Sequence, residues 1–518
     1  MTNSIENTYQ GALLADAAYI DFSELYDLVT GQIIDSSTVR VLDEFQKRGF
    51  TIEQFVIFTD RYEVVDYIQD SGSGFSATLF RDTEDNDKIT LSFRGTEPTD
   101  GGDLWQDLLL FLGLSENSPQ TGSIAEAMEG WINSGIINTE SEVNVVGHSL
   151  GGHLALIMVA KYSDFVGNVT TFNGAGLQGG DAELAIPNLN KLNVTRVVAK
   201  PGTEITATDV FLHQNGNKES VFIGLQSSTV MGHEFSAGNH SMVHLVDTLS
   251  VARIFSLLDS NKSLQQIDEY LWQAHNRKIE KIIHNYEDGE DYSHNGEPDL
   301  IDPAQSAILL SVLMTHLANL LGGSFSGFNT ANDAEAFYQE LSLLQDTGQG
   351  FSLKAIADIN DVVEVAATDV SEFGLAVRYS LIEGVPFILV PDSGYDDGIF
   401  SQLDDTAGKY GIDAYSPEYW QDRLEFYTLI LERNQQDLPD GAAITTVDNE
   451  VAFYQDLSSG DEIQTFAFAP ADKVNHYVFG RDEGENISGY DKDDRLYGMG
   501  GDDEITGQGG EEGVRFAA

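Results

Sequence analysis

The chain of 518 residues carries 84 acidic against 27 basic side chains, and its net charge of −57 argues against binding to nucleic acid phosphates. The same charge disfavours capture by an anionic lipid surface unless divalent cations neutralise the carboxylates. Cysteine is absent, which excludes disulfides and thiolate zinc sites. This length, with a hydrophobic content of 41%, is enough for two to four domains.

Two helices and a hairpin are predicted at the start of the chain. The first helix, Thr8 to Ile20, is rich in alanine, and the second spans Val39 to Arg48. Two strand-like runs follow, Gly74 to Phe80 and Lys88 to Phe93. The acidic segment Asp82 to Asp87 between them is typical of an exposed turn, so we expect the two strands to pair as a hairpin.

A valine-rich strand, a glycine–serine turn and an apolar helix follow one another between Val143 and Leu156. The turn has the sequence G-x-S-x-G with Ser149 at its centre, and its flanks are those of a nucleophile elbow. Because the strand and the helix pass closely, only glycine is expected to fit at Gly147 and Gly151. The N–H of Leu150 would then point from the helix N-terminus at a developing oxyanion.

The sequence F-R-G-T at residues 93–96, followed by G-H-S-L-G-G at 147–152, resembles the class 3 lipases of the α/β-hydrolase fold. The segment D-L-W-Q-D-L at 103–108 is similar to the D-W-x-x-D-L segment of that family, with its order loosened. The resemblance covers about residues 8 to 250. It implies that the backbone N–H of Thr96 joins that of Leu150 in an oxyanion hole.

The strand-like segments 167–176 and Val194 to Lys200 continue the alternation of strands and helices, which predicts a largely parallel sheet. We therefore expect an α/β-hydrolase domain in residues 1–250, a mainly helical region in 251–455 and a β-rich tail in 456–518. The helices predicted beyond the hydrolase pattern are Leu249 to Leu258, Leu264 to Asn285, Pro303 to Leu321, Asp333 to Leu344 and Tyr415 to Asn434.

Residues 303–328 join an apolar helix to a stretch rich in glycine and serine. An enzyme that acts on lipids must bind an interface before the ester reaches its nucleophile, so this segment is a candidate for a mobile lid or cap. The alternative is that the helix packs in the core of the helical region.

The acid of the catalytic triad is expected after Ser149, because α/β-hydrolases follow the order nucleophile, acid, histidine. Asp209 follows the strand that ends at Lys200, and its T-D-V-F surroundings are similar to the D-x-V segment that carries the acid in the lipases. Asp181, after the preceding strand, and Glu204 are the alternatives.

The base is expected further along the chain, where His213, His233, His240 and His244 are available. His240 lies in a G-N-H-S-M segment that runs into a helix, and this arrangement resembles the end of the catalytic domain in bacterial lipase and phospholipase A1 relatives. His233 and His244 remain the alternatives, although His244 lies one helical turn further on and is expected to pack or cap.

The expected enzyme is therefore a serine esterase, either a triacylglycerol lipase or a phospholipase A1. Asp209 would orient His240, which deprotonates Ser149 for attack on an ester carbonyl. Its expected partners are a lipid ester at an interface and, transiently, the lipid surface itself. The alternative is a secreted calcium-binding surface or adhesion protein whose hydrolase domain is inactive.

From residue 480 the chain can be written in four nine-residue frames that begin at Gly480, Gly489, Gly498 and Gly507. The sixth place of each frame is acidic and the eighth is aliphatic, a pattern that resembles the RTX repeats of parallel β-rolls. The resemblance implies Ca²⁺, a hard cation that prefers oxygen ligands. The predicted calcium ligands are Asp491, Asp493, Asp494, Asp502 and Asp503.

Residues 1–7 lack the basic and apolar regions of an ordinary signal peptide, and no apolar run reaches the roughly 18 residues that a membrane helix needs. Together with a C-terminal calcium repeat, these features resemble the clients of type I secretion. We therefore expect a secreted, extracellular protein that the type I secretion machinery exports without an N-terminal leader.

Overall fold

The computed structural model describes residues 4–27, 32–33, 38–70, 74–84, 88–95, 119–139, 143–177, 185–200, 216–223, 228–230, 233–235, 240, 242–274, 351–392, 409–412, 415–436, 443–444, 451–466, 470–507 and 513–515. The chain forms two units. The first comprises residues 1–268, 287–308 and 330–345, and the second comprises residues 269–286, 309–329 and 346–518.

A mixed α/β sheet with flanking helices forms the first unit. Its helices are α1 (Ser4–Ala17), α2 (Thr38–Lys47), α3 (Ile52–Arg61), α4 (Pro119–Asn133), α5 (Leu150–Tyr162), α6 (Met242–Leu258) and the start of α7 (Leu264–Gln273). Its strands are β1 (Tyr26–Asp27), β2 (Gln32–Ile33), β3 (Tyr62–Asp70), β4 (Phe75–Asp82), β5 (Ile89–Phe93), β6 (Val143–His148), β7 (Val166–Phe172), β8 (Asn193–Lys200), β9 (Asn217–Phe222), β10 (Ser228–Val230) and β11 (His233–Phe235).

The main sheet has seven strands in the order β3-β4-β5-β6-β7-β8-β9. The first three pair antiparallel, so the predicted hairpin of β4 and β5 is confirmed. All pairs from β5 to β9 are parallel, as the alternation of strands and helices predicts. The architecture resembles the α/β-hydrolase fold of lipases, with β6 near the middle of the sheet.

Both faces of the parallel strands are covered, as a parallel sheet requires. On one face, α4 and α5 close an apolar core that includes Leu91, Val145, Leu154, Met158 and Val169. On the other face, α1 packs on the sheet and along α6. A Cβ on Gly11 of α1 would lie 3.5 Å from Val146 and 3.4 Å from Phe172, so the small residue lets this helix approach the strands that flank the elbow.

Two strands of this sheet are absent from the sequence-based prediction, namely β3 and β9. In β3, alternate buried residues are interrupted by a shift of register between Val64 and Asp66. Both strands lie at the edges of the sheet, and charged side chains such as Glu63 and Glu219 interrupt their apolar residues. An edge strand has one free side, so the apolar alternation that identifies a strand is weak there.

The second unit combines helices with short strands. Its elements are β12 (Phe351–Ala355), α8 (Val362–Thr368), α9 (Glu372–Glu383), β13 (Phe387–Pro391), α10 (Pro417–Gln435), β14 (Ala452–Asp456), β15 (Glu462–Gln464), β16 (Asn475–Phe479), β17 (Asn486–Ser488), β18 (Arg495–Tyr497), β19 (Glu504–Thr506) and β20 (Gly513–Arg515). The antiparallel pair β12–β13 lies in a region predicted as mainly helical. Its strands are distant in sequence, so no local turn signal marks the pair.

The predicted C-terminal helix is present as α10, which begins one residue after the cap Ser416. The Ser416 hydroxyl accepts the N–H of Tyr419, and Pro417 occupies the first helical position, where its missing N–H costs nothing. The predicted helices at 303–321 and 333–344, and the candidate lid 303–328, lie outside the described residues. Within the described chain, no helix is both long and apolar enough to cross a membrane.

The nine-residue frames coincide with successive short strands that alternate between two sheets, and within each sheet these strands pair parallel. One sheet contains β14, β16, β18 and β20, and the other contains β17 and β19. Residues eighteen positions apart pair in register, as Tyr477 does with Arg495. The aliphatic eighth-place residues Ile487 and Leu496 are buried with Val478 in a thin core between the sheets. The assignment of these repeats to the RTX family stays a prediction.

Strands β16 to β20 and the turns between them wind as one β-coil, residues 475–515, called the coil below. Sixth-place carboxylates join its neighbouring turns. The Asp494 Oδ1 accepts the N–H of His476 at 2.8 Å, and its Oδ2 accepts the N–H of Tyr490 at 2.5 Å. A Cβ on Gly489 would lie 2.6 Å from the same Oδ2, which explains glycine at the first place of the frame. Asp503 repeats the pattern by accepting the N–H of Glu485 at 3.1 Å.

The β14–β16–β18 sheet packs against α10 through polar and aromatic contacts. The buried Asp422 of α10 accepts hydrogen bonds from Arg495 Nη1 at 2.6 Å and from the Tyr497 hydroxyl at 2.5 Å. The Phe426 ring of the same helix stacks on Tyr454 and Phe479, with centroids 5.8 and 5.5 Å away. The coil and α10 therefore share one core.

Candidate active site

Ser149 occupies the strained turn that the elbow pattern predicts. It links β6 to α5 with φ 55° and ψ −124°, a conformation that costs free energy for a residue with a Cβ. Backbone hydrogen bonds hold it there. The Ser149 N–H donates to the Phe172 carbonyl at 3.1 Å, and its own carbonyl accepts the N–H groups of Gly152 at 3.0 Å and Ala175 at 2.9 Å.

The glycines of the elbow are required by close backbone approach. A Cβ on Gly147 would overlap the Gly151 carbonyl, and one on Gly151 would overlap the Phe93 carbonyl of β5. A Cβ on Gly152 would lie 2.7 Å from the Cα of Gly174. Real Cβ atoms do not approach that closely, so the prediction that only glycine fits at Gly147 and Gly151 is confirmed.

One predicted donor of the oxyanion hole has a defined position. Leu150 is the first residue of α5, and the first N–H groups of a helix have no partner within the helix. The end of β5 also runs beside the nucleophile, because a Cβ on Gly95 would lie 3.1 Å from the Ser149 Cβ. Thr96 follows directly but lies outside the described residues, so its role stays a prediction.

His148, the variable residue of the G-x-S-x-G turn, connects the elbow to two distant parts of the chain. Its Nδ1 lies 2.8 Å from the hydroxyl of Tyr19, 129 residues away. Its Nε2 lies 2.7 Å from the backbone carbonyl of His240, 92 residues away. The His148 and His240 rings are 4.7 Å apart between centroids. This interaction places the predicted base beside the residue that precedes the nucleophile.

The two nearest histidine candidates differ in burial. His240 is half-buried, whereas His244, one turn along α6, is fully buried. Burial lowers the pKa of His244 to about 4. At neutral pH its ring therefore binds a proton too weakly to be a good general base. His233 lies in β11, but the structure does not describe its side chain. His213 lies outside the described residues. The geometry therefore favours His240.

The acid of the triad has no described position. Asp209 and its alternatives Asp181 and Glu204 all lie outside the described residues, so its identity stays a prediction. The structure therefore describes the turn at Ser149, the start of α5 at Leu150 and the predicted base His240, and the catalytic roles of these residues stay predictions.

The five predicted calcium ligands are all within the described coil, and they fall into two groups. Asp491, Asp493 and Asp502 are exposed at the turns, where carboxylate oxygens suit a hard cation. Asp494 and Asp503 instead accept backbone N–H groups. In the part of the chain that the structure describes, no three His, Asp or Glu side chains converge as a metal site. Calcium binding stays a prediction.

Tyr19 is the residue of this site that sequence reasoning missed. It lies just after α1 and is 7% exposed, and its ring is covered by the guanidinium of Arg48 at 3.9 Å. Nothing in the local sequence around Tyr19 marks it, because its partner His148 is distant along the chain. His148 is buried, and both of its ring nitrogens lie within hydrogen-bond distance of a partner.

Residues 10–205 match the family model of a phospholipase-like group, described as a Tle-like phospholipase domain. No curated protein matches the chain. The match confirms the predicted class of enzyme, a carboxylic ester hydrolase, and it supports lipid esters as the substrates.

Solved lipase structures are also similar to parts of the chain. The mono- and diacylglycerol lipase from Aspergillus oryzae is 14% identical, with a TM-score of 0.30, over 47% of this chain and 96% of that one. The Rhizomucor miehei lipase in complex with its propeptide is 15% identical, with a TM-score of 0.27, over 48% and 80%. The lipase from Rhizopus microsporus var. chinensis is 14% identical, with a TM-score of 0.26, over 39% and 67%.

Proposed function

We propose that this chain is a serine phospholipase that cleaves a carboxyl ester of a phospholipid through Ser149 and His240. The observation that carries the proposal is the position of the His240 ring against His148, directly before a nucleophile in a strained elbow. The family match favours a phospholipid over a neutral lipid, because its description names a phospholipase. Triacylglycerol is the alternative substrate.

The reaction has two steps, formation of an acyl-enzyme and its hydrolysis, and both pass through a tetrahedral intermediate. His240 accepts the proton of the Ser149 hydroxyl as the oxygen attacks the ester carbonyl, and it returns the proton to the leaving alcohol. Water then attacks the acyl-enzyme, with His240 again as the base, and releases the fatty acid. Asp209 is the proposed group that orients the imidazole.

The oxyanion of each tetrahedral intermediate needs preorganised donors. We assign this task to the N–H of Leu150, at the start of α5, and to that of Thr96, which follows β5. Donors of this kind contribute about 3–4 kcal/mol each in comparable sites. The Leu150 donor costs no reorganisation during the reaction, because the turn at Ser149 already holds its backbone in place.

Substrate profiling tests the proposal. The purified chain is assayed on phosphatidylcholine vesicles, on emulsified triacylglycerol and on a soluble p-nitrophenyl ester, each with and without Ca²⁺. We expect release of the acyl chain at the first glycerol carbon of phosphatidylcholine, faster than release from triacylglycerol. Faster hydrolysis of triacylglycerol would identify a lipase. Hydrolysis of none of the three would favour an inactive hydrolase domain in a calcium-binding surface protein.

We also propose that Ca²⁺ binds to the turns of the C-terminal coil after export by type I secretion. Asp491, Asp493 and Asp502 are the exposed carboxylates that would hold the ion with backbone carbonyls. In the absence of Ca²⁺ these like charges repel one another and oppose folding of the coil. External Ca²⁺ at about millimolar concentration would bind only the folded coil, and this difference becomes folding free energy.

Chelation tests the calcium proposal. We expect EGTA to lower the Tm and to increase proteolysis after about residue 480, and Ca²⁺ to restore both. The triple variant D491N/D493N/D502N should lose most of that response. The control D358N/D361N/E364Q removes the same amount of charge elsewhere in the second unit, and it should keep the full response to EGTA and Ca²⁺. Equal stability of the parent chain in EGTA and in Ca²⁺ would contradict calcium binding.

A further inference from the structure

A chain of hydrogen bonds connects Tyr19, His148 and the backbone of His240. The direction of each hydrogen bond follows from which of its two atoms can donate a hydrogen and which can only accept one. The His240 carbonyl can only accept, so His148 Nε2 at 2.7 Å must carry a hydrogen. In the neutral ring, Nδ1 is then an acceptor, and the Tyr19 hydroxyl at 2.8 Å donates to it.

We propose that His148 and Tyr19 are positioning residues, which aim the His240 side chain at Ser149 by holding the His240 carbonyl. The inference rests on the proposed role of His240 as the general base and adds two residues to the machinery that supports it. Neither side chain is proposed to contact the ester. His148 acts by fixing the backbone of the base, and Tyr19 acts by fixing the tautomer of His148.

Burial makes this chain of hydrogen bonds effective. His148 is 5% exposed and Tyr19 is 7% exposed, and hydrogen bonds are stronger in a medium of low dielectric constant. Burial is also the main cause that lowers the pKa of His148 well below its ordinary value. Charge on the His240 ring and on Arg48 acts in the same direction, whereas the hydrogen bond to the His240 carbonyl opposes them. The ring is therefore neutral near pH 7, as the assigned tautomer requires.

The surroundings of Tyr19 hold its hydroxyl in place. The Arg48 guanidinium lies 3.9 Å above the ring, and its Nε donates to the buried Asp16 at 3.0 Å. On the other side, a Cβ on Gly95 would lie 2.6 Å from the hydroxyl, so glycine at this position leaves room for it. The tyrosine is thus fixed by residues from α1 and from the segments that directly follow α2 and β5.

Positioning matters because His240 lies directly before α6, where its backbone direction decides where the imidazole points. A displacement of about 1 Å in a catalytic group can cost about 100-fold in rate. The bond from His148 ties this backbone to the residue next to the nucleophile. Base and nucleophile therefore share one rigid support.

Two amide variants of His148 separate positioning from packing. The amide of glutamine reaches about as far as Nε2, so His148→Gln can still donate to the His240 carbonyl. The amide of asparagine reaches only about as far as Nδ1, so His148→Asn loses that donor. On a soluble p-nitrophenyl ester we expect His148→Asn to lower kcat about 30-fold, with KM changed less than about twofold. His148→Gln should stay within about fivefold of the parent, and Tyr19→Phe should fall between them.

His153 provides a matched control in the same helix as the elbow. It is as buried as His148, and its Nδ1 lies 2.8 Å from the Gly176 carbonyl. Glutamine carries its amide at the place of Nε2 and loses the donor at Nδ1, so we expect His153→Gln to lower the Tm, as His148→Asn does, while kcat stays within about threefold of the parent. The rate at which a fluorophosphonate phosphonylates the Ser149 hydroxyl, with loss of fluoride, should fall in parallel with kcat across the His148 variants.

The outcomes keep this inference distinct from the proposed function. Equal loss of kcat in His148→Asn and His148→Gln, or in His148→Asn and His153→Gln, would overturn the positioning role. Full activity of His148→Asn alongside an inactive Ser149→Ala would overturn it as well, and the serine esterase would stand. An active Ser149→Ala would instead overturn the proposed function itself.

Discussion

Ser149→Ala is expected to lower ester hydrolysis by about 1,000-fold or more, because the substitution removes the nucleophile and leaves only binding and the oxyanion hole. The fold should persist. Alanine keeps the Cβ of Ser149, and the backbone bonds to Phe172, Gly152 and Ala175 do not involve the hydroxyl. The measurement is kcat/KM on a soluble p-nitrophenyl ester, together with Tm and covalent labelling by a fluorophosphonate.

Ser163→Ala, at the other end of α5, is the control for this variant and should retain activity and labelling. A Ser149→Ala protein that keeps more than a few per cent of the parent rate would contradict the assignment of Ser149 as the nucleophile. So would a fluorophosphonate adduct on any other serine that abolishes activity.

His240→Ala is expected to lower kcat nearly as much as Ser149→Ala, because the members of a triad act as a unit. For the same reason, the double variant should be hardly slower than either single one. His244→Ala is the contrasting variant. His244 is fully buried in α6, so its truncation should leave a cavity and lower the Tm, while kcat of the folded protein changes little.

The variants His240→Ala and His244→Ala also test which histidine is the base. If His244→Ala or His233→Ala were inactive while His240→Ala kept its activity, the assigned base would be wrong, and the role proposed for His148 would fail with it. The α/β fold and the nucleophile would remain, because the elbow does not depend on either histidine.

Local patterns in the sequence determined the elements that depend on neighbouring residues. The G-x-S-x-G turn could be predicted because the overlaps at Gly147 and Gly151 follow from a strand that turns directly into a helix. The alternation of apolar strands and helices likewise predicted the parallel part of the sheet. The nine-residue frames predicted where the strands of the coil lie, since each aliphatic residue must face its thin core.

The tertiary structure alone decided which distant residues meet. It brings the His240 ring beside His148 and buries the His244 ring in the core, and this difference favours His240 as the base. It joined Tyr19 to His148 across 129 residues and paired β12 with β13. The physical reason is that local sterics and periodicity act between near neighbours in sequence, whereas these contacts depend on how whole helices and strands pack.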